Sequence, residues 1–280
     1  MTRSFVRPIT FVATLAIAAC SPKPDQAPAN NPAPPAAPPV IEVNALDYAF
    51  QVADTIPGGW VTFRIHNAGT ELHHGQLVRL GQGKTLADLA ANPGHVLPDW
   101  AIPVGGPSAP APNGTLEATV KLSPGNYVLL CVIPSPDGKP HLMKGMAKSL
   151  TVVAPPADVA PTVANLAVTL TDYDFTFSQP LTAGKHTVRV ESAPGQQHEI
   201  VVVRLVPGKS ATDLVSWVEK MDGPPPGEVV GGTTGLVAGE SNIFTIDLTP
   251  GDYAVVCFVP DAKDGKPHAA HGMLKQIKIT

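Results

Sequence analysis

The sequence predicts an all-β protein made of two tandem β-sandwich domains. Three observations carry that expectation. Apolar and polar residues alternate along most of the chain, which is the period of a half-buried strand. Gly and Pro, 25 and 32 of the 280 residues, punctuate these runs at short intervals. Whole segments also recur at an offset of about 125 residues. Hydrophobic residues are 44% of the chain, enough for packed cores, and charged residues are only 15%. With a net charge of −4 and no Lys/Arg-rich run, this composition excludes a disordered chain, a coiled coil and a basic nucleic-acid binder.

The chain begins with a targeting pattern. Arg3 and Arg7 precede an apolar stretch, residues 9–19, that is too short to span a bilayer. It ends Leu15-Ala16-Ile17-Ala18-Ala19-Cys20, which resembles a bacterial lipobox. Residues 1–19 are therefore expected to be a signal peptide and Cys20 the lipidated N-terminus. Residues 20–39 include eight prolines and form an expected tether. In polyproline geometry it would reach roughly 60 Å at about 3.1 Å per residue. Loss of Arg3 and Arg7 leaves 17 basic against 23 acidic side chains, a net charge of −6. The expected location is the bacterial cell envelope, anchored by lipid and facing the periplasm or the exterior.

The repeat organises the remainder. Asp47-Tyr48-Ala49-Phe50 matches Asp172-Tyr173-Asp174-Phe175, and Val78-Arg79-Leu80 matches Val203-Arg204-Leu205. Pro124-Gly125-Asn126-Tyr127 matches Pro250-Gly251-Asp252-Tyr253, and Asp137-Gly138-Lys139-Pro140-His141 matches Asp264-Gly265-Lys266-Pro267-His268. The expected domains are 40–153 and 164–280, joined by a linker, 154–163, and each copy is long enough for its own core. In the first strand Ile41, Val43 and Ala45 share one parity, and Tyr48, Phe50 and Val52 the other. The second copy does the same at Leu166 to Phe177, which reads as a β-bulge. Val61, Phe63 and Ile65 form a further buried face. Leu116 to Leu122 form another, matched by Phe244 to Leu248. Two short helices are expected, at 86–91 and at 212–220, the latter capped by Ser210 or Thr212.

Each copy carries one Cys at a strand end, then a loop with one His and one Met: Cys131, His141, Met146 and Cys257, His268, Met273. Upstream, His73 and His198 each begin an apolar strand. One thiolate, two imidazoles and a thioether suit copper, because a trigonal His₂Cys set with a weak axial Met is the blue-copper electron-transfer arrangement. A disulfide between Cys131 and Cys257 is disfavoured, since the two occupy equivalent places in separate sandwiches. Unpaired thiols in an exported protein call for a metal.

In these residues the sequence resembles the cupredoxin family. The matching motifs are Pro-Gly-x-Tyr-x-x-x-Cys at 124–131 and 250–257, His-x4-Met with Gly before Met at 141–146 and 268–273, and the His-bearing turns at 66–74 and 191–198. The resemblance spans about 40–154 and 164–280. It implies a Greek-key β-sandwich with copper near one end. It also implies two ligand sets, His73, Cys131, His141, Met146 and His198, Cys257, His268, Met273. The Cys-to-His loop is longer than in the small carriers and nearer that of copper nitrite reductases. His73 is preferred over His74 because the repeat register puts His73 on His198 and His74 on Glu199, and neighbours in a strand face opposite sides. Position 74 is therefore expected to face out.

Leu130-Cys131-Val132 and Val256-Cys257-Phe258 lack the His beside Cys that multicopper oxidases and copper nitrite reductases use to reach further coppers. No nucleophilic triad, phosphate loop or paired-carboxylate signature is present. The sequence thus predicts no enzyme but a two-copper electron carrier serving redox partners of the envelope. Copper storage or delivery and a metal-free cupredoxin-like module are the alternatives. His66, His95, His186 and His271 are expected at the surface.

Overall fold

The computed structural model describes residues 36–92 and 97–280, with residues 1, 2 and 4 before them. Most of the expected signal peptide, Cys20, most of the tether and His95 lie outside the described residues.

The first copy contains β1 (Val40–Leu46), β2 (Ala49–Gln51), β3 (Thr55–Pro57), β4 (Gly59–Asn67), β5 (Gln76–Leu80), α1 (Leu86–Ala90), β6 (Ala101–Gly105), β7 (Thr115–Leu122), β8 (Gly125–Leu130) and β9 (Ala147–Val153). The second repeats it, without a counterpart of β3, as β10 (Leu166–Thr171), β11 (Asp174–Phe177), β12 (Gly184–Ser192), β13 (His198–Leu205), α2 (Ala211–Lys220), β14 (Gly227–Leu236), β15 (Ser241–Leu248), β16 (Gly251–Val256) and β17 (Leu274–Ile279). The all-β expectation holds. Each copy is a two-layer sandwich whose inner faces meet in their own core, with Val43, Phe63, Ile65 and Leu129 in the first and Phe175, Val190, Ile200 and Val255 in the second. Thr85 and Ser210 cap the helices, each in a reciprocal bond with an acid three residues on, Asp88 or Asp213. Leu89 and Leu214 turn from these helices onto the outer faces of β5–β8 and β13–β16.

The two copies share their sheets. The strand orders are β11-β10-β12-β15-β7-β4-β1-β2 and β17-β16-β13-β14-β6-β5-β8-β9-β3. Equivalent strands meet antiparallel, β7 with β15 and β6 with β14, so the described residues from 36 onward form one compact unit. Polar groups at this seam include two close pairs: Gln76 Nε2 donates to Gly235 O at 2.9 Å, and Asn242 Nδ2 to Thr233 Oγ1 at 2.7 Å, while Thr234 Oγ1 is buried without a partner. Gly105 is required there, because a Cβ would stand 1.6 Å from Asn242 Nδ2 and its φ is +87°.

The parity switch after the first strand is not a bulge. β1 and β2 pair antiparallel with Leu46 opposite Ala49, leaving Asp47-Tyr48 as a two-residue turn, and Asp172-Tyr173 joins β10 to β11 in the same way. A two-residue turn resets the inward face just as a bulge does, so alternation alone cannot separate them.

Candidate metal centres

Backbone hydrogen bonds build the Cys–His–Met corner. Cys131 N donates to Met146 O at 3.2 Å, Leu142 N to Cys131 O at 2.7 Å, and Met146 N to His141 O at 3.0 Å. Cys257, Ala269, Met273 and His268 repeat the pattern at 3.2, 2.9 and 3.0 Å. A 3-10 turn, His141–Lys144 or His268–His271, separates His from Met and ends on Gly145 (φ +101°) or Gly272 (φ +102°). That left-handed residue explains the Gly before each Met. His73, Cys131, His141, Met146 and their four counterparts are all 0% exposed.

Three donor atoms of each set converge. His73 Nδ1 lies 3.0 Å from His141 Nδ1, which lies 3.5 Å from Cys131 Sγ. The second copy gives 3.1 Å for His198 and His268 and 3.5 Å for Cys257 and His268. Met146 and Met273 are buried at the same corners through their backbones. His74 is not in the group. It does not face out as expected but is buried, where its Nε2 accepts the Val132 N–H at 3.4 Å. Glu199 does the same for Phe258 N–H at 2.9 Å. Both residues serve the backbone just after the Cys, a role strand parity does not reveal. Both cysteines are free.

The far nitrogens of three of the four imidazoles are held by carboxylates. His73 Nε2 bonds Asp47 Oδ1 at 2.8 Å and His198 Nε2 bonds Asp172 Oδ1 at 2.7 Å, while His141 Nε2 bonds Glu71 Oε2 at 2.9 Å. Burial opposes ionisation of Asp47, but bonds from Thr70 and His73 outweigh it and hold this carboxyl well below the usual range. Burial pushes the His73 and His198 imidazoles below their ordinary value despite these partners. Gly69 leaves room for the pair, since a Cβ there would fall 2.4 Å from Asp47 Oδ1 and 2.6 Å from His73 Nε2. Gly69→Ala is therefore expected to part Asp47 from His73 and weaken metal uptake by the first copy about 10-fold or more. Metal titration of a Cys257→Ser background checks this, and unchanged uptake would contradict it.

The donors fit a thiolate-binding cation. In the first copy both imidazoles donate Nε2–H outward, so two bare Nδ1 atoms face each other beside the thiol. One S–H proton satisfies at most one of these lone pairs, whereas a single cation satisfies both nitrogens and the sulfur. Burial pushes the Cys131 thiol up to about 12, and it pushes the Cys257 thiol up as well, with the Glu199 charge adding. A thiolate forms at such a position only when a metal supplies the positive charge. Two nitrogens, one sulfur and a nearby thioether are a donor set of the copper type.

Sequence reasoning missed the outer residues Asp47, Tyr48, Glu71, Asp172, Tyr173 and Asp261. The repeated Asp-Tyr pair was visible, but its place in a tight turn over the site was not. One other expectation needs correction. His186 is buried, donating from Nε2 to Thr182 O at 2.8 Å, and is not a surface residue. His271 is exposed as expected, and it forms a third group of donors with Asp264 and Asp261 among the described residues, although Asp261 is already bonded to Tyr173 and Gln196.

No family profile matches the chain, and no curated protein matches it. Solved structures do. A dithionite-reduced auracyanin from Roseiflexus castenholzii is 23% identical over 42% of this chain and 99% of its own, with a TM-score of 0.29. A blue copper oxidase from Nitrosomonas europaea is 16% identical over 87% of this chain and 86% of its own, with a TM-score of 0.25. A copper-containing nitrite reductase from Thermus scotoductus is 14% identical over 87% of this chain and 62% of its own, with a TM-score of 0.23. The expectation that the chain is not an enzyme is corrected by these matches, because the structures spanning both copies are oxidases and a nitrite reductase. Residues flanking Cys131 and Cys257 speak only to the wiring of known copper clusters, not to turnover as such. The chain has a cupredoxin-like fold, two β-sandwich copies that each bring two histidines and a cysteine together.

Proposed function

We propose that the chain binds copper at one thiolate–imidazole site in each copy and transfers electrons through these sites. The observation that carries this reading is the convergence of two histidine nitrogens and one Sγ within 4.8 Å of one another at positions closed to solvent. Copper held there supplies a one-electron couple. The protein's part is to hold the donors rigidly, through the backbone-bonded corner and the carboxylates on Nε2, so that little moves when the charge changes. Burial of every donor favours retention of the ion over its delivery. The envelope setting, the lipid anchor at Cys20 and redox partner proteins belong to the same proposal and rest on the sequence pattern.

Reconstitution with Cu(II) is expected to give an intensely coloured protein that keeps its copper through repeated reduction and reoxidation in the presence of a weak Cu(I) chelator. Loss of copper to the chelator would favour storage or delivery. A colourless protein without bound copper would favour a metal-free module.

A further inference from the structure

Tyr48 and Tyr173 occupy the same place, the second residue of the turn that leaves β1 or β10. Each ring stands edge-on against the second histidine of its site, with centroids 5.2 Å apart for Tyr48–His141 and 5.1 Å for Tyr173–His268. Beneath each phenol lies one carboxylate, but it comes from two different parts of the chain. In the first copy it is Glu71, two residues before His73. Glu71 accepts from Tyr48 Oη at 2.6 Å and from His141 Nε2 at 2.9 Å, and the small residue opposite is Ser135. In the second copy the repeat register puts Gln196 in the place of Glu71 and Asp261 in the place of Ser135. Asp261 accepts from Tyr173 and from Gln196 Nε2 at 2.7 Å.

Ser135 and Asp261 are structural equivalents. Each follows a proline that bridges to the proline before the histidine, and each donates its N–H to a lysine carbonyl, at 2.9 and 2.8 Å. The acid and its neutral partner have thus changed sides, and one carboxylate remains under the phenol. Packing of the ring alone does not call for that, because sheltering a carboxylate from water is unfavourable unless its bonds serve something. The exchange has one consequence. Asp261 reaches in from the segment after the Cys and not from the one before the first histidine, and its Oδ2 stops 3.9 Å from His268 Nε2, which is buried without a hydrogen-bond partner.

We propose that this carboxylate is a positioning residue for the second imidazole, within bonding distance of it in the first copy and out of reach in the second. Glu71 keeps the proton of His141 on Nε2 and leaves Nδ1 open to a metal. His268, with no acceptor at Nε2, carries its proton on Nδ1 and donates it to His198 Nδ1 at 3.1 Å. A metal entering the second site must first move that proton to a nitrogen with no acceptor in reach. The metal consequence rests on the copper reading above; the proton positions do not.

Long-range ¹H–¹⁵N NMR of the full-length metal-free protein, labelled at histidine, tests this directly. The expected result is a proton on Nε2 of His141 and on Nδ1 of His268. Gln196→Glu with Asp261→Ser, which gives the second copy the residues of the first, should move the His268 proton to Nε2. In a Cys131→Ser background the same pair should tighten copper binding at the second site about 10-fold. The proposal is overturned if His141 and His268 carry their protons on the same nitrogen, or if the exchange leaves His268 unchanged while shifting only the melting temperature. Should that variant not fold, Glu71→Gln with Ser135→Asp makes the reverse exchange. It should move the His141 proton to Nδ1, and an unmoved proton there overturns the proposal equally. A native protein that takes up no copper would remove the copper reading and leave the NMR result to decide this one.

Discussion

Replacing both thiols, Cys131→Ser with Cys257→Ser, is expected to abolish the visible colour and the tightly bound copper of the reconstituted protein. Cys131→Ser alone should halve both. The serine hydroxyl is nearly the size of the thiol and would sit at a position 0% exposed, so the fold should tolerate it. It supplies no soft, covalent donor, and its proton is far harder to remove than that of a thiol. The colour reports the sulfur–copper bond itself, while the histidines alone leave a weaker, nitrogen-bound ion. Metal analysis and absorption spectra of the two variants make the measurement. Intense colour surviving in the double variant would place the copper elsewhere.

The metal-free protein should respond to pH in opposite directions at one repeated position. In the first copy that position is His74. Burial, with His141 and His73 adding, pushes its pKa down to about 3 from an ordinary 6.5. The unfolded chain therefore takes up the proton first as the pH falls. The stability contributed by keeping His74 neutral is full above 6.5 and is lost progressively towards pH 3, by roughly 4 kcal/mol at about 1.4 kcal/mol per unit. In the second copy the position is Glu199, pushed up to about 7 by burial from an ordinary 4.5. Here the folded chain holds the proton longer. Its contribution is full below 4.5 and is lost as the pH rises through 7, by roughly 3 kcal/mol. Denaturant unfolding of the metal-free protein should show that His74→Gln relieves the acid loss between pH 6.5 and 4. Glu199→Gln should stabilise at pH 8 and not at pH 4. Parallel pH profiles for the native protein and both variants would refute the assignment.

Strand content, the duplication and the cysteine–histidine–methionine spacing were legible in the sequence because each is a local pattern. Alternation marks strands such as β4, with Val61, Phe63 and Ile65 facing the core. The order Cys131, His141, Gly145, Met146 encodes a turn whose left-handed glycine closes the corner. Even the upstream histidine of each donor group could be read, since matching the two copies set His73 on His198.

What the sequence did not reveal depends on residues brought together from distant segments. A parity switch could not distinguish a bulge from the Asp47-Tyr48 turn, because both reverse the inward face. That turn sets Asp47 on His73 and Tyr48 on His141, 26 residues away in one case and 93 in the other along the chain. The exchange of Glu71 and Ser135 for Gln196 and Asp261 looks in sequence like two unrelated differences. Only in the fold do the four positions meet under equivalent phenols. The seam between the copies is of the same kind. Nothing local in β7 or β15 says that they pair with each other, because an exposed strand edge satisfies its hydrogen bonds with water until tertiary packing brings another edge to it. Local pattern determined the elements and the donor types; long-range packing decided the partners of those donors and which strand edges met.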